Sequence, residues 1–442
     1  MPNLTQLRLA AREIFEETRR AVDAGNAVRR AIILEDLRLK VRGTPVDIAA
    51  RQVYAIATGK AAVAMALALD EILGGRLGRG IIATGAQYAT IPGGKTLPSN
   101  WELFYGGHPE PNEQSLGAAR SCFDLLRRAN EEKATVIFLI SGGGSAMIEY
   151  PVSDAITLAD LRAANQLLVS CGASISEINA VRRAFSGIKG GRLSAISPSC
   201  DQITLIVSDV PAGEERNVAS GPSLEPLDSF PAAKDVVSRY ELYARLPPSV
   251  VRAIQNAKPS FTHYEGIREH CVLLNNDDAV EAATEAARRR GFIVEIASEV
   301  SDQPVEEGCR LLLKRLEELR AKKSDRDSVV CLVSGGEFAC PVRGDGMGGR
   351  NLETALRLAY SSDSNLSATV ALCAGTDGVD GNSPAAGAII DDTTMQRARA
   401  IGLDPKDFLD RSDSYSFFVA LGDVIATGTT GTNVRDIRIM LA

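Results

Sequence analysis

The 442-residue sequence is poor in the features that mark several familiar classes of protein. Its three histidines lack the spacing of a zinc site, and its eight cysteines include no Cys-X-X-Cys pair. This argues against a structural zinc centre and against a disulfide framework. Acidic residues outnumber basic ones, and the formal net charge of −7 argues against an electrostatic nucleic-acid binder. The longest apolar run, Ala61–Leu69, is much shorter than the roughly 18 residues that span a bilayer.

The amino terminus lacks the uninterrupted apolar core of a secretory signal peptide, because apolar and charged residues alternate there. Together with cysteines that show no secreted-type clustering, this predicts a cytoplasmic protein whose cysteines are mostly small core residues. We expect neither a membrane nor a nucleic acid as a partner. A homodimer is compatible with the sequence, which does not fix the oligomeric state.

Short β-branched runs alternate with amphipathic segments after one or two predicted helices over residues 4–40. Several runs are apolar at consecutive positions, which is typical of strands buried on both faces of a parallel sheet. This βαβ pattern predicts a larger N-terminal domain with a doubly wound, Rossmann-like parallel sheet. Its predicted strands are Val53–Ala57, Gly80–Ala83, Leu103–Tyr105, Thr135–Ile140 and Gln202–Val207.

A second βαβ series follows a proline-rich stretch and begins with a predicted strand at His270–Asn275. It continues with a charged helix at Glu306–Lys322 and a strand at Ser328–Val333. We therefore predict two domains, residues 1–258 and 259–442, the second being a smaller α/β domain.

Glycine, with 39 residues, is most informative through its position, since it concentrates just after predicted strands. In open α/β sheets, ligands bind outside the carboxyl ends of the strands. A glycine loop there lets backbone N–H groups converge on an anion. Any single loop could serve only to turn the chain, but the set indicates a strongly anionic, for example phosphorylated, ligand. The loops are Thr58–Lys60, Ser141–Ser145, Ser334–Glu337, Gly375–Gly378 and Thr427–Asn433.

Three charged residues lie beside these loops or open a helix. Lys60 begins a helix, where a lysine is unfavourable, so it either holds a carboxylate or phosphate or is a solvated surface residue. Asp209 ends a buried strand and either binds Mg²⁺ together with substrate phosphates or caps a turn. Arg350 directly precedes a helix and either offers a planar fork for a carboxylate or phosphate or has a merely structural role.

Five further candidates lie beside glycines. Lys189 and Arg192 are basic groups flanked by glycine, which would let both backbone and side chain approach a ligand. Asp377 and Asp380 either bind a metal or form an Asp-Gly turn. His108, beside a glycine pair, either contacts substrate or serves in packing.

In their order along the chain, these motifs resemble the glycerate 2-kinase family, class II, whose members contain a MOFRL domain. The resemblance covers most of residues 50–442, and the ordered set is far more specific than one glycine loop. The matching stretches are Gly59–Ala62, Gly107–Pro111, Ser141–Ser145, Asn179–Arg182, Gly187–Arg192, Ser208–Pro211, Ala219–Pro222, Ser334–Glu337, Gly348–Asn351, Gly375–Gly378 and Thr430–Asn433.

The resemblance implies two α/β domains with a cleft between them, ATP and Mg²⁺, and phosphorylation of the 2-hydroxyl of D-glycerate to 2-phosphoglycerate. It also implies that Lys60 and Arg350 form the catalytic or substrate-binding pair. Some positions depart from the family pattern and bear on which hydroxy acid is preferred. These positions are Glu110, Asn112, Ala184, Phe185, Thr429 and Arg435.

We therefore predict a kinase for a small hydroxy acid, D-glycerate first, with Lys60, Arg350 and Asp209 as catalytic residues. Mg²⁺ would be held by Asp209 and Asp377. Beside Lys60 and Arg350, the predicted substrate-binding residues are His108, Ser141, Gly142, Gly143, Gly144, Ser145, Asn179, Lys189 and Arg192. The predicted nucleotide-binding residues are Ser334, Gly335, Gly336, Glu337, Gly375, Thr376, Asp377 and Thr430.

Two alternatives belong to other classes. One is an NAD(P)H-dependent hydroxypyruvate reductase, a label that family members often carry. The dinucleotide fingerprint is incomplete here, because Met147 stands where the third glycine of Gly-X-Gly-X-X-Gly belongs. The other is a non-catalytic sensor that binds a sugar acid or nucleotide without turnover.

Overall fold

The computed structural model describes residues 3–35, 38–42, 44–89, 91, 96–225, 231–257, 262–323, 328–361 and 368–442. The chain forms two compact units, one of Ala24–Leu274 and the other of Met1–Asp23 with Asn275–Ala442. We call the first the parallel-sheet unit and the second the mixed-sheet unit.

Helices and strands alternate along most of the described chain. The helices are α1 (Leu4–Ala21), α2 (Ala24–Ala31), α3 (Ala62–Leu73), α4 (Glu113–Glu131), α5 (Gly144–Met147), α6 (Leu158–Ser170), α7 (Ile175–Phe185), α8 (Ala233–Arg239), α9 (Pro248–Asn256), α10 (Asn276–Arg289), α11 (Val305–Ala321), α12 (Arg350–Ser361), α13 (Thr394–Ala400), α14 (Pro405–Asp410) and α15 (Ser414–Leu421). The strands are β1 (Ile32–Glu35), β2 (Arg38–Val41), β3 (Thr44–Asp47), β4 (Val53–Thr58), β5 (Leu77–Thr84), β6 (Trp101–Tyr105), β7 (Thr135–Ser141), β8 (Asp201–Val207), β9 (Arg268–Leu274), β10 (Ile293–Ile296), β11 (Val330–Gly336), β12 (Val370–Gly375), β13 (Gly387–Asp391), β14 (Val424–Ile425) and β15 (Asp436–Leu441).

The main sheet of the parallel-sheet unit has the strand order β6-β5-β4-β7-β8-β9. All neighbouring pairs are parallel, which confirms the predicted doubly wound sheet. Every residue of β4, β7 and β8 is buried, as their continuous apolar runs predict. Counted from β4, the order is that of a Rossmann fold, so the strand order reverses between β4 and β7. Ligands bind at this switch point in such sheets.

The segment after α2 differs from the prediction of helices over residues 4–40. Helix α2 ends at Ala31, and β1, β2 and β3 form a small antiparallel sheet. The β-branched pair Ile32 and Ile33 favours a strand over continuation of the helix.

The mixed-sheet unit contains the sheet β10-β11-β15-β12-β13-β14. Only β10 and β11 pair in parallel; the other pairs are antiparallel. Helix α1 packs on this sheet, with Ile14 and Phe15 in one buried cluster with Ile439. Arg8 of the same helix forms ion pairs with Asp391 and Asp423, at 2.6 and 2.5 Å. Helix α1 thus completes the core of the mixed-sheet unit.

The compact units differ from the predicted division in two respects. The predicted boundary at residue 258 lies outside the described residues, and the units divide between Leu274 and Asn275. Strand β9, which the sequence pattern assigned to the second series, pairs in parallel with β8 and completes the first sheet. In addition, α1 belongs to the mixed-sheet unit because its apolar face packs on that unit's sheet.

All eight cysteines are free, and five of them are buried. This agrees with their predicted role as small core residues. Across the described part of the chain, no helix is both long enough and apolar enough to cross a membrane.

Candidate active site

The loops that follow β4 and β7 are fastened together at the switch point of the parallel sheet. The backbone N–H of Lys60 donates to the carbonyl of Gly142, at 2.9 Å. The Ser141 hydroxyl donates to the carbonyl of Thr58, at 3.1 Å, and accepts from the N–H of Ala61, at 3.0 Å. Lys60 and the Ser141–Ser145 loop therefore form one structure, as the two glycine motifs predict.

Two glycines let neighbouring groups approach this loop closely. A β-carbon on Gly142 would lie 1.9 Å from Oδ2 of Asp209, so the Asp209 carboxylate lies against the loop backbone. A β-carbon on Gly143 would lie 3.2 Å from the ring of His108. The structure thus brings Lys60, His108 and Asp209 to the same loop.

An aromatic residue that the sequence did not single out joins this group. The Lys60 ammonium lies 5.6 Å from the centroid of the Tyr88 ring. The Tyr88 ring in turn meets the ring of His108 edge to face, with centroids 6.3 Å apart. Tyr88 lies just beyond β5, the neighbour of β4 on its other side. In the sequence, only its position after the end of a strand indicated that Tyr88 lies near the site.

The Ser141–Ser145 loop keeps two backbone donors available. Among the described residues, the N–H groups of Gly142 and Gly143 donate to no other group. Backbone N–H groups without an acceptor in a glycine loop at a strand end are the donors that bind phosphate or carboxylate oxygens. The loop can therefore accept an anion without first breaking its own hydrogen bonds.

Side chains behind the loop fix its serine. The hydroxyls of Ser145 and Ser220 lie 2.9 Å apart, and the Ser220 hydroxyl donates to Oδ1 of Asn179, at 2.8 Å. Asn179 is buried on α7. The predicted substrate-binding residue Asn179 therefore reaches the loop through Ser220.

Lys189 lies beneath the same loop and is buried. Its ammonium donates to the carbonyl of Ser145, at 2.7 Å, and forms an ion pair with Glu149. Glu149 also accepts from the Ser186 hydroxyl, at 2.5 Å. Burial lowers the pKa of Lys189, and the charge of Glu149 opposes that effect. Glu149 was missed, although an acid within the apolar run Ala146–Tyr150 was a signal for a buried partner.

Arg192 points to a different place. Its NH1 donates to the carbonyls of Arg183 and Ser186, and its side chain lines a cavity with residues of α9. None of the other predicted site residues lines that cavity. The structure therefore separates Arg192 from the group around Lys60.

In the mixed-sheet unit, Ser334, Gly335 and Gly336 belong to β11 and pair with β15. The prediction of a glycine loop at this position is wrong. The N–H of Gly336 donates to Asn276, at 2.7 Å, and the N–H of Glu337 donates to Asp302, at 3.2 Å. These two donors are engaged with side chains, because the strand runs on through the glycines.

Arg350, at the start of α12, is anchored by two acids. Its Nε donates to Asp436, at 2.6 Å, and its NH2 pairs with Glu337, also at 2.6 Å. Burial lowers the pKa of Arg350, but the charges of Asp436 and Glu337 outweigh it, so the net pKa is raised. Arg350 is thus a fixed cation at a helix start, in the same unit as β11.

Asp380 is buried and caps the start of α12. It accepts from the backbone N–H groups of Asn351, at 3.1 Å, and Leu352, at 2.8 Å. Burial raises the pKa of Asp380 to about 7, and the charge of Asp436 adds to this rise. Asp380 therefore holds the helix that carries Arg350, which supports a structural reading over the metal reading.

The loop after β12 is joined to the loop before β15. The Thr430 hydroxyl donates to the carbonyl of Thr376, at 2.7 Å, and its N–H donates to the carbonyl of Asp377, at 3.1 Å. A β-carbon on Gly375 would lie 3.2 Å from the Asp377 carboxylate and 3.3 Å from that of Asp436. The structure thus brings Gly375, Thr376, Asp377 and Thr430 together, as predicted for one binding loop.

The two predicted magnesium ligands lie in different units, Asp209 in the parallel-sheet unit and Asp377 in the mixed-sheet unit. Over the described ranges, no three histidine, cysteine or acidic side chains are grouped to hold a metal ion. A metal bound here would take most of its ligands from substrate or water.

Comparison with known proteins places these features in context. Residues 10–255 match the model of a domain of unknown function, DUF4147, and residues 330–436 match the MOFRL family model. The chain is 33% identical to the D-glycerate 2-kinase of Thermotoga maritima, over 88% of this chain and 90% of that protein. It is 34% identical to a putative hydroxypyruvate reductase of Agrobacterium vitis, over 87% and 98% of the two chains. The crystal structure of glycerate kinase from Thermotoga maritima is similar, with a TM-score of 0.81, 32% identity and 99% of both chains covered.

Proposed function

Because this chain belongs to the glycerate 2-kinase family, we propose that it transfers a phosphoryl group from ATP to the 2-hydroxyl of D-glycerate or a closely related hydroxy acid. One observation carries this proposal beyond family membership. At the switch point of the parallel sheet, Lys60, Asp209 and the available N–H groups of Gly142 and Gly143 converge. This combination suits a highly charged, phosphorylated ligand.

Phosphoryl transfer depends mainly on positioning and on stabilising negative charge. The substrate hydroxyl oxygen forms a bond to the γ-phosphorus and releases its proton to water. The bond between the γ-phosphorus and the oxygen that bridges it to the β-phosphate breaks, and ADP leaves with that oxygen. In our proposal, the N–H groups of the Ser141–Ser145 loop bind anionic oxygens, and Lys60 stabilises the charge that develops. Lys189 and Asn179 support the loop from behind through Ser145 and Ser220.

The donor set around the loop fits Mg²⁺. That ion is bound in nucleotide sites by one or two carboxylates together with phosphates and water. Asp209 supplies a carboxylate against the loop backbone, and we propose it as the magnesium ligand in this unit. Mg²⁺ would neutralise phosphate charge there.

In the mixed-sheet unit, we propose that Arg350 binds an anionic group of substrate or nucleotide. Asp436 and Glu337 fix the orientation of its guanidinium. We assign the loop formed by Gly375, Thr376, Asp377 and Thr430 to nucleotide binding. The engaged N–H groups of Gly336 and Glu337 leave β11 a smaller role than the sequence predicted.

The reductase alternative has less support. In a Rossmann fold the dinucleotide fingerprint follows the first strand of the sheet order, which here is β4. The chain after β4 reads Gly59-Lys60-Ala61-Ala62-Val63, with one glycine and a lysine. That loop lacks the three glycines with which a Rossmann domain accommodates a pyrophosphate.

One assay separates the candidate functions. The purified protein is incubated with ATP, Mg²⁺ and a panel of small hydroxy acids, and ADP release is followed, with NADH consumption on hydroxypyruvate in parallel. We expect ADP release that depends on D-glycerate or a close relative. NADH consumption without ADP release would establish the reductase instead, and binding without any turnover would indicate a sensor.

The role of Lys60 has a direct test with a matched control. Lys60→Met should lower turnover by about 10²-fold or more, because a charge that stabilises the transition state is lost. Lys234→Met removes a lysine from the exposed surface of α8 and should leave turnover unchanged. Equal turnover in the two variants would refute the role of Lys60.

A further inference from the structure

The parallel-sheet unit contains a cavity that the proposed function does not use. It has a volume of about 420 Å³ and lies between α9, the end of α7 and the segment 152–155. Its described lining includes Arg192 and Arg252 but no acidic residue. None of the residues assigned to the glycine loop at the switch point lines it.

Arg192 makes the charge of this cavity unusual. The side chain is partly buried, and burial lowers its pKa. Its NH1 is held by the carbonyls of Arg183 and Ser186. Within the described part of the chain, no carboxylate forms an ion pair with Arg192. The two carbonyls lie at the C-terminal end of α7 and compensate part of the charge, and an anion from solution would supply the full negative charge that no described carboxylate provides.

The geometry of Arg192 suits such a ligand. Because the two carbonyls fix NH1, the guanidinium plane is already oriented. NH2 and Nε are the donors that remain for a ligand. Preorganisation of this kind reduces the entropy cost of binding.

The remaining lining indicates the kind of anion. Arg252 adds a second cation from the exposed side of α9, and Ser153 and Asn256 add polar groups. The hydroxyl of Ser249, also in the lining, donates to Asp160, at 2.9 Å. The other lining residues include Ala184 and further small apolar residues. Two cations at one cavity with a small apolar surface favour a compact organic dianion over a bulky or neutral ligand.

We propose that this cavity binds a small organic dianion, either a dicarboxylate or a phosphate monoester, through Arg192 and Arg252. The site is separate from the proposed kinase site and does not depend on kinase activity.

Isothermal titration calorimetry of the 442-residue protein with succinate, with ethyl phosphate and with neutral succinamide tests this proposal. We expect at least one of the two dianions to bind at a single site and succinamide not to bind. Arg252→Ala should weaken that binding by at least about tenfold, through loss of a charge-assisted hydrogen bond. Arg245→Ala, which removes an exposed arginine outside the cavity lining, should bind like the unmodified protein.

A second variant tests the fork itself. Arg192→Lys keeps the charge but loses the planar donors, and it should also weaken binding. If Arg192→Lys does not fold, Arg252→Ala alone tests the proposal, because Arg252 is exposed and its replacement should not unfold the protein. The proposal is overturned if neither dianion binds at concentrations up to about 10 mM. It is overturned equally if Arg252→Ala leaves the affinity unchanged, or if Arg245→Ala weakens it as much.

Discussion

Gly142→Ala is a minimal perturbation of the proposed active site, since it adds one methyl group beneath the Asp209 carboxylate. The new β-carbon would lie 1.9 Å from Oδ2 and 2.3 Å from Cγ of Asp209. Heavy atoms in contact need separations of more than 3 Å, or about 3.5 Å for an optimal contact. The carboxylate therefore has to move away from the loop by more than about 1 Å.

The expected effects on stability and on activity differ. The clashing atoms are the end of a short side chain, so the protein can relieve the clash by rotating Asp209. We expect a loss of free energy of unfolding at or below the lower end of the roughly 1–3 kcal/mol that overpacking costs. A displacement of about 1 Å at a reacting centre can cost about 10²-fold in rate. We therefore expect turnover to fall by about that factor and to need more Mg²⁺.

Steady-state kinetics over a range of Mg²⁺ concentrations, together with urea unfolding, measures both effects. Gly75→Ala is the matched control, because a β-carbon there meets no atom within 4 Å. Turnover in Gly142→Ala equal to that in Gly75→Ala would refute the placement of Asp209 in the site. A free energy of unfolding close to zero under the assay conditions would show instead that the lost turnover comes from unfolded protein.

Three further substitutions test the parts around the site. Lys189→Met leaves Glu149 buried without its partner and should lower the free energy of unfolding by about 3–5 kcal/mol. Urea unfolding measures this, and a free energy of unfolding within about 1 kcal/mol of that of the unmodified protein would contradict the prediction. Asp380 has a pKa of about 7 when folded against 3.8 ordinarily, so the folded state holds an extra proton between these values. Its contribution to stability is therefore fully present below about pH 4 and lost as the pH rises through 7. Asp380→Asn should remove this decline in the free energy of unfolding as the pH rises. An unchanged slope of the free energy of unfolding between pH 4 and 7 would contradict the prediction. Arg350→Lys keeps the charge but cannot bridge Asp436 and Glu337 in the same way. We expect kcat to fall by about 10²-fold. A change in KM alone would show that Arg350 only binds substrate.

The parallel sheet could be predicted from the sequence because its central strands are continuous apolar runs. β4, β7 and β8 are buried along their whole length, so their hydrophobicity carried the signal. β9 is an edge strand with mostly half-buried residues, and its pattern did not show which sheet it joins. Its pairing with β8 is a long-range contact that no local pattern encodes.

The site shows the same division between local and long-range information. The meeting of Lys60 with the Ser141–Ser145 loop could be predicted, because both follow buried strands of one parallel sheet, whose carboxyl ends lie at the same edge. The prediction that Lys189 binds substrate did not anticipate that its side chain is buried against Glu149, since flanking glycines do not reveal the direction of a side chain. Ser334 and its two glycines resembled the Ser141 motif locally, yet pairing with β15 makes them a strand.

We propose that the 2-hydroxyl of D-glycerate receives the phosphoryl group. Phosphorus-31 and carbon-13 NMR of the product formed from ATP and D-glycerate tests it most directly, because coupling between phosphorus and carbon identifies the substituted position. We predict one phosphate ester, on carbon 2, with ADP formed in equal amount. A phosphate on carbon 3, or no phosphate ester from any hydroxy acid in the panel, would refute the proposed 2-kinase activity.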